Sequence, residues 1–433
     1  MTAAPPSEVP QPDPPPRSEA WTSLNSVVAA FGVYFCMYGY RKPFTAATYT
    51  NATIGGLDEK TLLVVAQVFG YMVSKFLGIK VVSEVTPRRR VSLLLTLIAV
   101  AWGMLLLFGL TPAPWNAIWL FGNGLMLGMV FGLVLGALEG RRHTEALAAG
   151  LCGSFIVADG VTKSVGKALL DAGVSDYWMP CVAGLIFAPP LVVFAWMLAR
   201  VPGPTARDIA ERSERVPMNG AERGAFFRRY AVGLVLVILI YLLVTVLRSV
   251  RADFAPEIWK ALLGEATPSI FTLSESVVAV VVLAMVGAMV VIRDNRRAFF
   301  FGLGLAGLGV VVAGIALAGQ QSLFIGPFAF MVLLGVGLYL PYLVVHTILF
   351  ERLLAATRDR GNIGYLMYLA DSFGYLGYVG VLLARNVFGS ATDFLAFFLS
   401  LSWAVVGGCA VLLVPCWYYF ATHPALRRTE REA

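Results

Sequence analysis

Apolar runs of membrane-spanning length constrain this sequence more than any other feature. The chain has 433 residues, of which 58% are hydrophobic and only 14% are charged, whereas an ordinary soluble domain is about 45–50% apolar and about 25% charged. The apolar residues lie in runs of roughly 18–25, long enough to cross a hydrocarbon core of about 30 Å as helices. Helices satisfy their own backbone hydrogen bonds, as a bilayer demands. The sequence therefore predicts an all-α integral membrane protein.

We predict twelve transmembrane helices in two six-helix bundles. A long polar interruption, residues 200–229, separates an N-terminal bundle (23–199) from a C-terminal bundle (230–420). Residues 1–22 are proline-rich and are predicted to be a disordered tail, and residues 421–433 form a second tail. The spans are roughly 23–45, 61–82, 91–111, 115–139, 146–171, 177–199, 230–252, 268–292, 298–318, 322–349, 362–386 and 391–420.

The placement of positive charge predicts the orientation. Arginines crowd the loops on one side of the spans, whereas the opposite loops hold little beyond Lys60 and Lys260. Because loops rich in Lys and Arg stay in the cytoplasm, both termini and residues 200–229 should be cytoplasmic, in a bacterial inner (plasma) membrane. This asymmetry also accounts for the net charge of +7 without a nucleic-acid partner. The expected partners are the lipid bilayer and a small solute, and the chain is expected to be monomeric.

The two halves resemble each other in sequence. Span five contains ADGVTKSVGK and span eleven contains ADSFGYLGY, so that Asp159 matches Asp371 and Lys163 matches Tyr375. Two parallel six-helix repeats around a site at the bilayer midplane are the architecture of the major facilitator superfamily. This is the predicted fold.

Several cations fall inside the predicted spans, where a charge costs about 2.5–3.5 kcal/mol on insertion scales. Tyr34, Tyr38 and Arg41 lie at i, i+4 and i+7 on one face of span one, with Lys42 beside them. Cations outnumber the carboxylates of these spans, so positive charge is left for a ligand. Arginine donates two parallel hydrogen bonds to phosphate or carboxylate, which predicts an anionic solute. The other candidates are Gln67, Tyr71 and Lys75 in span two, Asp159 and Lys163 in span five, and Arg248 and Arg251 in span seven.

Two other interpretations of these cations remain open. Arg41, Lys42 and Arg251 lie near span ends, from which a long side chain can reach the interface. Lys75 and Lys163 lie deeper, and the alternative for them is an internal salt bridge. The acidic residues available for such bridges are Asp159, Glu275 and Asp371. Together with Lys42 and Arg251 they are the candidates for ion pairs that couple movement of the two halves.

The same residues resemble a family, the organophosphate:phosphate antiporters of the major facilitator superfamily, which include the glycerol-3-phosphate and hexose-phosphate transporters. GVYFCMYGYRKPF in span one resembles the family's two tyrosines before an Arg-Lys pair. The resemblance implies that Arg41 binds a substrate phosphate and that Tyr34 and Tyr38 line the site. YMVSKF in span two is similar to Y-x-x-S-K-F and implies that Tyr71 and Lys75 line the cavity.

Further motifs extend the resemblance into the C-terminal half. LRSVRADFAP resembles L-R-x-x-x-x-D-[WF]-x-P, which places the second phosphate-binding arginine at Arg248. FGYLG in span eleven implies that Tyr375 faces the substrate. The resemblance also implies that Glu275 in span eight pairs with Lys42.

Span five departs from the family pattern. Glycerol-phosphate carriers have a histidine before a V-G pair, and here K-S-V-G puts Lys163 at that place. A permanent cation thus replaces a titratable imidazole. Two roles for Lys163 are open. Lys163 makes a third contact to a more anionic substrate, or it pairs with Asp159 one helical turn away. We favour the substrate contact, because the repeat-related residue is Tyr375.

The leading hypothesis is a secondary carrier that moves a small anion by alternating access and exchanges it for another. Two alternatives stay open: a membrane receptor for a phosphorylated solute, and a proton-coupled symporter of an organic anion. An enzyme is not indicated, because the three histidines (His143, His346 and His423) are scattered and no nucleophile–base pair is recognisable. The five cysteines lie in apolar runs without a CxxC pair, so neither a metal nor a cofactor is expected.

Overall fold

A computed structural model describes residues 16–49, 53–54, 57–138, 144–201, 220–292, 294–357, 363–388 and 394–427. Most of these residues are helical. The N-terminal half contains α1 (Pro16–Tyr38), α2 (Glu59–Glu84), α3 (Pro87–Leu110), α4 (Ala117–Leu127), α5 (Val130–Leu138), α6 (Thr144–Asp171) and α7 (Met179–Ala199), with a 3₁₀ turn at Pro43–Ala46 and a two-stranded ribbon of β1 (Thr53–Ile54) and β2 (Leu57–Asp58).

The C-terminal half begins after α8 (Gly220–Arg229), part of the predicted central loop. A π-helical segment, Val345–Leu349, continues α13 into α14, and a 3₁₀ turn, Met289–Val291, follows α11. The other helices of this half are α9 (Ala231–Asp253), α10 (Ala255–Leu263), α11 (Pro268–Ala288), α12 (Asn295–Gln321), α13 (Pro327–Val344), α14 (Phe350–Thr357), α15 (Ile363–Phe388), α16 (Phe394–Thr422) and α17 (Pro424–Arg427).

Each predicted span contains a helix. Ten helical segments of the described chain are long and apolar enough to cross a membrane. The two remaining predicted spans correspond to α1, whose apolar part is the shorter Leu24–Tyr38, and to α6, which is 28 residues long. Apolar side chains such as Leu110 and Val411 remain exposed on the outside, which is the surface that lipid covers.

Three boundaries differ from the prediction. α1 begins at Pro16, inside the predicted disordered tail, because proline is favoured at a helix start, where its missing N–H costs nothing; residues 1–15 lie outside the described chain. α1 also ends at Tyr38 rather than near residue 45, before the 3₁₀ turn that starts at Pro43. Predicted span four is two helices, α4 and α5, with a break at residues 128–129.

Close backbone contacts hold the helices together. A Cβ atom on Gly124 of α4 would lie 2.0 Å from the carbonyl oxygen of Gln67 in α2, and one on Gly160 of α6 would lie 2.4 Å from that of Phe271 in α11. Small residues permit such approaches between membrane helices. The α6–α11 contact and the α2–α15 contact join the two halves of the chain, and the candidate site lies between these contacts.

Candidate functional site

A small cavity lies between the two halves. Its volume is about 10 Å³, which is about the space that one water molecule needs. α1, α2 and α6 contribute its wall from the N-terminal half, and α9, α13 and α15 contribute the opposite wall. The polar and charged side chains of the lining are Arg41, Lys42, Arg248, Asp159, Asp253, Ser249, Tyr38, Tyr339, Tyr375 and Tyr378.

Arg41 is placed by the turn that ends α1. The backbone amides of Arg41 and Lys42 both donate to the carbonyl of Tyr38, at 3.0 and 2.9 Å. Gln67 of α2 fixes this turn by donating from Nε2 to the Arg41 carbonyl at 2.9 Å. The Arg41 guanidinium then lies 3.8 Å from the ring centroid of Tyr71 and 5.6 Å from that of Tyr38, a favourable cation–π geometry.

Arg248 comes from the other half and lies inside a helix, whereas Arg41 follows the end of one. Arg248 lies one and a half turns before the end of α9, and its guanidinium is 4.3 Å from the ring centroid of Tyr342 and 5.7 Å from that of Tyr339. Both arginines are buried, with 5% exposure for Arg41 and 9% for Arg248. Within the described part of the chain neither has an acidic partner, and the Nε atom of each lacks a hydrogen-bond acceptor.

The pairing of Lys42 with Glu275, implied by the family resemblance, is wrong. Lys42 forms its salt bridge with Asp253 at the end of α9, and Tyr378 donates to the other Asp253 oxygen at 2.9 Å. Glu275 instead accepts from Nη1 of Arg251 at 2.8 Å. The reason is proximity, because Arg251 of α9 is buried against α11 and α13 and its guanidinium lies beside Glu275.

A glycine makes room for this guanidinium. A Cβ atom on Gly335 of α13 would lie 2.7 Å from Nη2 of Arg251. The same Nη2 donates to the carbonyl of Met331 at 2.9 Å. Arg251 is therefore held inside the C-terminal half by an ion pair and a backbone contact, rather than reaching the interface; Lys42 is likewise buried and paired.

The two deep lysines form salt bridges. Lys75 donates to Oδ2 of Asp371 at 3.0 Å, across the two halves. Lys163 pairs with Asp159 within α6 and is 1% exposed. Asp159 belongs to the cavity lining and Lys163 does not. The geometry thus favours the ion-pair interpretation of Lys163 over the substrate contact that we expected, because its ammonium points to a carboxylate on its own helix.

The predicted tyrosines fall into two layers. Tyr38 and Tyr375 line the cavity, as expected from the resemblance. Tyr34 and Tyr71 lie behind them: the Tyr34 ring centroid is 5.6 Å from that of Tyr38, and the Tyr71 centroid is 5.4 Å from that of Tyr375. Tyr71 still contacts the site, because Arg41 lies over its ring.

Sequence reasoning missed several residues of this region. Asp253 is part of the span-seven motif but was assigned no role from the sequence. In the structure it is the salt-bridge partner of Lys42. Tyr339 and Tyr342 of α13 support Arg248, and their i, i+3 spacing was a usable signal for one helix face. His346, set aside as scattered, lies 3.2 Å from Asp371; nothing local in the sequence indicated that contact.

The charges of the cavity suit an oxyanion. Lys42 and Asp253 neutralise each other, and Asp159 is neutralised by Lys163 behind the wall. Arg41 and Arg248 therefore contribute two positive charges that no acidic residue of the described chain compensates. Among the described residues, no group of three or more His, Cys, Asp or Glu could hold a metal ion. The arrangement can clamp an anion between two guanidinium groups, one from each half.

Comparison with known proteins places the chain in a family. Residues 43–423 match DUF5690, described as a family of unknown function. The chain belongs to the DUF5690 family. No curated protein sequence matches it.

Solved structures that this DUF5690 protein resembles have the same fold. They include a proton:xylose symporter of the major facilitator superfamily, with a TM-score of 0.59, 14% identity, and coverage of 93% of this chain and 96% of that one. A bacterial homologue of the iron transporter ferroportin in an outward-facing state gives a TM-score of 0.57 at 16% identity, covering 91% and 99%. A variant of the peptide transporter POT in complex with sulfate gives 0.58 at 14% identity, covering 90% and 93%. The predicted all-α major facilitator fold is confirmed.

Proposed function

We propose that this DUF5690 protein is a secondary transporter that carries a small anionic solute by alternating access. The supporting observation is the pair of Arg41 and Arg248. Each half supplies one of them, both are buried at the cavity, and neither has an acidic partner in the described chain. Four other buried cations of the same region, by contrast, are paired: Lys42, Lys75, Lys163 and Arg251.

The solute is proposed to be an organophosphate or inorganic phosphate, with a carboxylate as the next choice. Guanidinium groups bind the oxygens of both anion types in bidentate fashion. A phosphate group presents oxygens in several directions, so two arginines on opposite walls can both bind it. The hydroxyls of Tyr38 and Tyr375 add donors for its remaining oxygens, whereas the Tyr378 hydroxyl already donates to Asp253. This argument comes from the site, since a shared fold alone does not identify a substrate.

Exchange of one anion for another follows from the same charges. Moving between outward- and inward-open states requires the halves to separate on alternating sides, which breaks contacts between them. Two cross-half salt bridges, Lys42–Asp253 and Lys75–Asp371, lie near the two arginines. A doubly cationic empty site resists reorientation, because unpaired charges in a low-dielectric interior are costly. A bound anion removes that cost, and antiport results.

The test is uptake by the purified full chain in proteoliposomes. Labelled inorganic phosphate, glycerol 3-phosphate, hexose 6-phosphates and dicarboxylates are supplied outside, with and without an unlabelled anion inside. We expect at least one anion to enter, and to enter faster when the vesicles are loaded. Uptake of a neutral sugar but of no anion would contradict the anion proposal. Binding without any uptake would favour a receptor instead.

Conservative substitutions test the arginine clamp. Arg41→Lys and Arg248→Lys keep the positive charge but lose the two parallel hydrogen bonds of the guanidinium group. Each substitution therefore removes a charge-assisted hydrogen bond, which is worth about 1.5–3 kcal/mol. We therefore expect the apparent affinity for the transported anion to fall about 10- to 100-fold in each variant. Arg200→Lys is the matched control, because Arg200 also lies over an aromatic ring, 3.6 Å from the Trp196 centroid, but at the exposed end of α7. Unchanged affinity in both site variants would refute the clamp.

A further inference from the structure

A second polar group surrounds Asp371, outside the arginine cavity. Oδ2 of Asp371 accepts from Lys75 at 3.0 Å, and Oδ1 accepts from the Tyr241 hydroxyl at 2.5 Å. Nε2 of His346 lies 3.2 Å from Oδ1 and 2.6 Å from the Tyr241 oxygen. These four residues, here named the Asp371 cluster, come from α2, α9, α15 and the π-helical segment. All are largely buried, so their charges are partnered mainly by one another.

The hydrogen bonds of the Asp371 cluster show which of its atoms carry protons. A tyrosine hydroxyl carries one proton, and Tyr241 donates it to Asp371. Nε2 of His346 must then carry a hydrogen that it donates to the Tyr241 oxygen. This Nε2–H is present in both the neutral imidazole and the imidazolium, and the two states differ only in whether Nδ1 also carries a proton. Nδ1 is buried and has no hydrogen-bond partner in the described chain.

The position of His346 depends on an irregular backbone. It lies in the π-helical segment, which interrupts the regular helix after Pro341 of α13. π-helical segments are rare in proteins, and those that occur are often found at functional sites. Of the neighbouring helices, α6 contributes Phe155 to this region, with its centroid 5.9 Å from that of Tyr342, and α12 contributes Gly302, beside Val344 and Ile348.

Tyrosines and one carboxylate of the described chain face His346, and Arg248 also lies over the Tyr342 ring. Tyr342, on the preceding turn, has its ring centroid 4.9 Å from the imidazole centroid. Tyr241 faces it from α9 and Asp371 from α15, with Lys75 on the far side of the carboxylate. Tyr368 and Tyr71 surround the Lys75 ammonium, at 5.7 and 5.3 Å from the two ring centroids. A proton on His346 would thus act mainly on Asp371.

Protonation would change the contact between the halves. Lys75 belongs to the N-terminal half, whereas Asp371, Tyr241 and His346 belong to the C-terminal half. With His346 neutral, Lys75 is the only cation hydrogen-bonded to Asp371 among the described residues. An imidazolium would give the carboxylate a cation from its own half, and would leave the cluster with one net positive charge. The attraction that holds Lys75 would then weaken.

We propose that the Asp371 cluster is a proton-binding site that couples proton movement to the opening of the α2–α15 contact. His346 takes the proton at Nδ1, the imidazolium pairs with Asp371, and Lys75 is released. Imidazole is the side chain that most readily changes charge near neutral pH, and ionisable residues inside membrane helices commonly carry protons. The coupling of this proton to a solute rests on the transport function proposed above, whereas proton binding itself does not.

The first experiment measures proton binding without any solute. Proteoliposomes with the full chain are adsorbed on a solid-supported membrane and exposed to a jump from about pH 8 to about pH 6, which spans the usual range of imidazole titration. Proton entry into a buried site displaces charge and gives a transient current. We expect this current in the wild type and at least a fivefold loss in His346→Gln.

Further variants guard against misfolding. Asp371→Asn alone leaves Lys75 unpaired, so the neutral pair Lys75→Gln with Asp371→Asn is also measured and should lose the current. His423→Gln, at the end of α16, should keep it. A wild-type current no larger than that of protein-free liposomes would overturn the proposal. So would an undiminished current in His346→Gln.

The second experiment measures coupling. Vesicles loaded with a pH-sensitive dye receive inorganic phosphate, and each phosphate ester of the panel in turn. Protons carried by the solute itself contribute equally in all variants. The difference in internal acidification between wild type and His346→Gln therefore measures the protons that the protein moves. We expect faster internal acidification per anion taken up in the wild type. Equal acidification would overturn the coupling while leaving transport intact. If no anion enters, the transport function fails, and the pH-jump current alone decides the proton site.

Discussion

Removing the ammonium of Lys163 should destabilise the protein far more than removing that of Lys167, four residues further along α6. Both lysines form i, i+4 salt bridges, with Asp159 and Asp171 respectively. The side-chain exposures are 1% and 5% in the first pair but 31% and 46% in the second. The two pairs thus have the same spacing on the same helix, with acid and base in opposite order, and burial is the larger difference between them.

Burial sets the magnitude. Breaking a buried ion pair by removing one partner costs about 3–5 kcal/mol, because the other charge remains without solvent or partner. Lys163→Met keeps the length of the side chain and leaves the Asp159 carboxyl group without its partner, and Lys42 on the same wall is already bound to Asp253. The folded-to-unfolded ratio should fall about 100- to 4,000-fold. Lys167→Met should change stability by about 0.5 kcal/mol or less.

The assay compares four proteins in detergent: wild type, Lys163→Met, the double variant Lys163→Met with Asp159→Asn, and Lys167→Met. Thermal unfolding is followed by tryptophan fluorescence, and the monodisperse fraction is measured by size-exclusion chromatography. We expect Lys163→Met to lose stability, and the double variant to recover most of it because no charge is left stranded.

Two results would refute this reasoning. If Lys163→Met is as stable as the wild type, Asp159 is not stranded by the loss of its partner. If Lys163→Met folds well, binds the transported anion more weakly, and is not rescued by Asp159→Asn, then Lys163 contacts the substrate. The expectation from the repeat-related tyrosine would then be right.

Three further predictions concern the cross-half ion pair, helix packing and topology. Exchanging the charges of Lys42 and Asp253 in one double variant should retain more anion uptake than either single substitution, because the salt bridge between the halves is re-formed; uptake no better than in the single variants would contradict this. Gly124→Ala should reduce the yield of folded protein through its clash with the Gln67 carbonyl, whereas Gly287→Ala, with open space around it, should not; equal yields would exclude the close α2–α4 contact. A reporter fused after Ala433 should be active only in the cytoplasm, and activity on the other side would invert the predicted topology.

Much of the candidate site could be predicted from local sequence. Arg41, Tyr38, Arg248 and Tyr375 line the cavity, and each was identified from helical spacing or from a short motif. These signals are local, because a charge in an apolar run requires an explanation wherever the helix finally lies. The partners of the buried charges were not predictable in the same way. Asp253, for example, is 211 residues from Lys42 along the chain.

The sequence by itself determined that this chain is a bundle of membrane helices divided into two halves, because the length and polarity of each apolar run are properties of neighbouring residues. It also determined which cations are unusual. Only the tertiary structure decided which of these cations are free. Ion pairing depends on distances of a few ångströms between helices far apart in sequence, and packing sets those distances. In the described structure Arg41 and Arg248 have no acidic partner, whereas Lys75 pairs with Asp371. His346, in the π-helical segment, lies beside the same carboxylate.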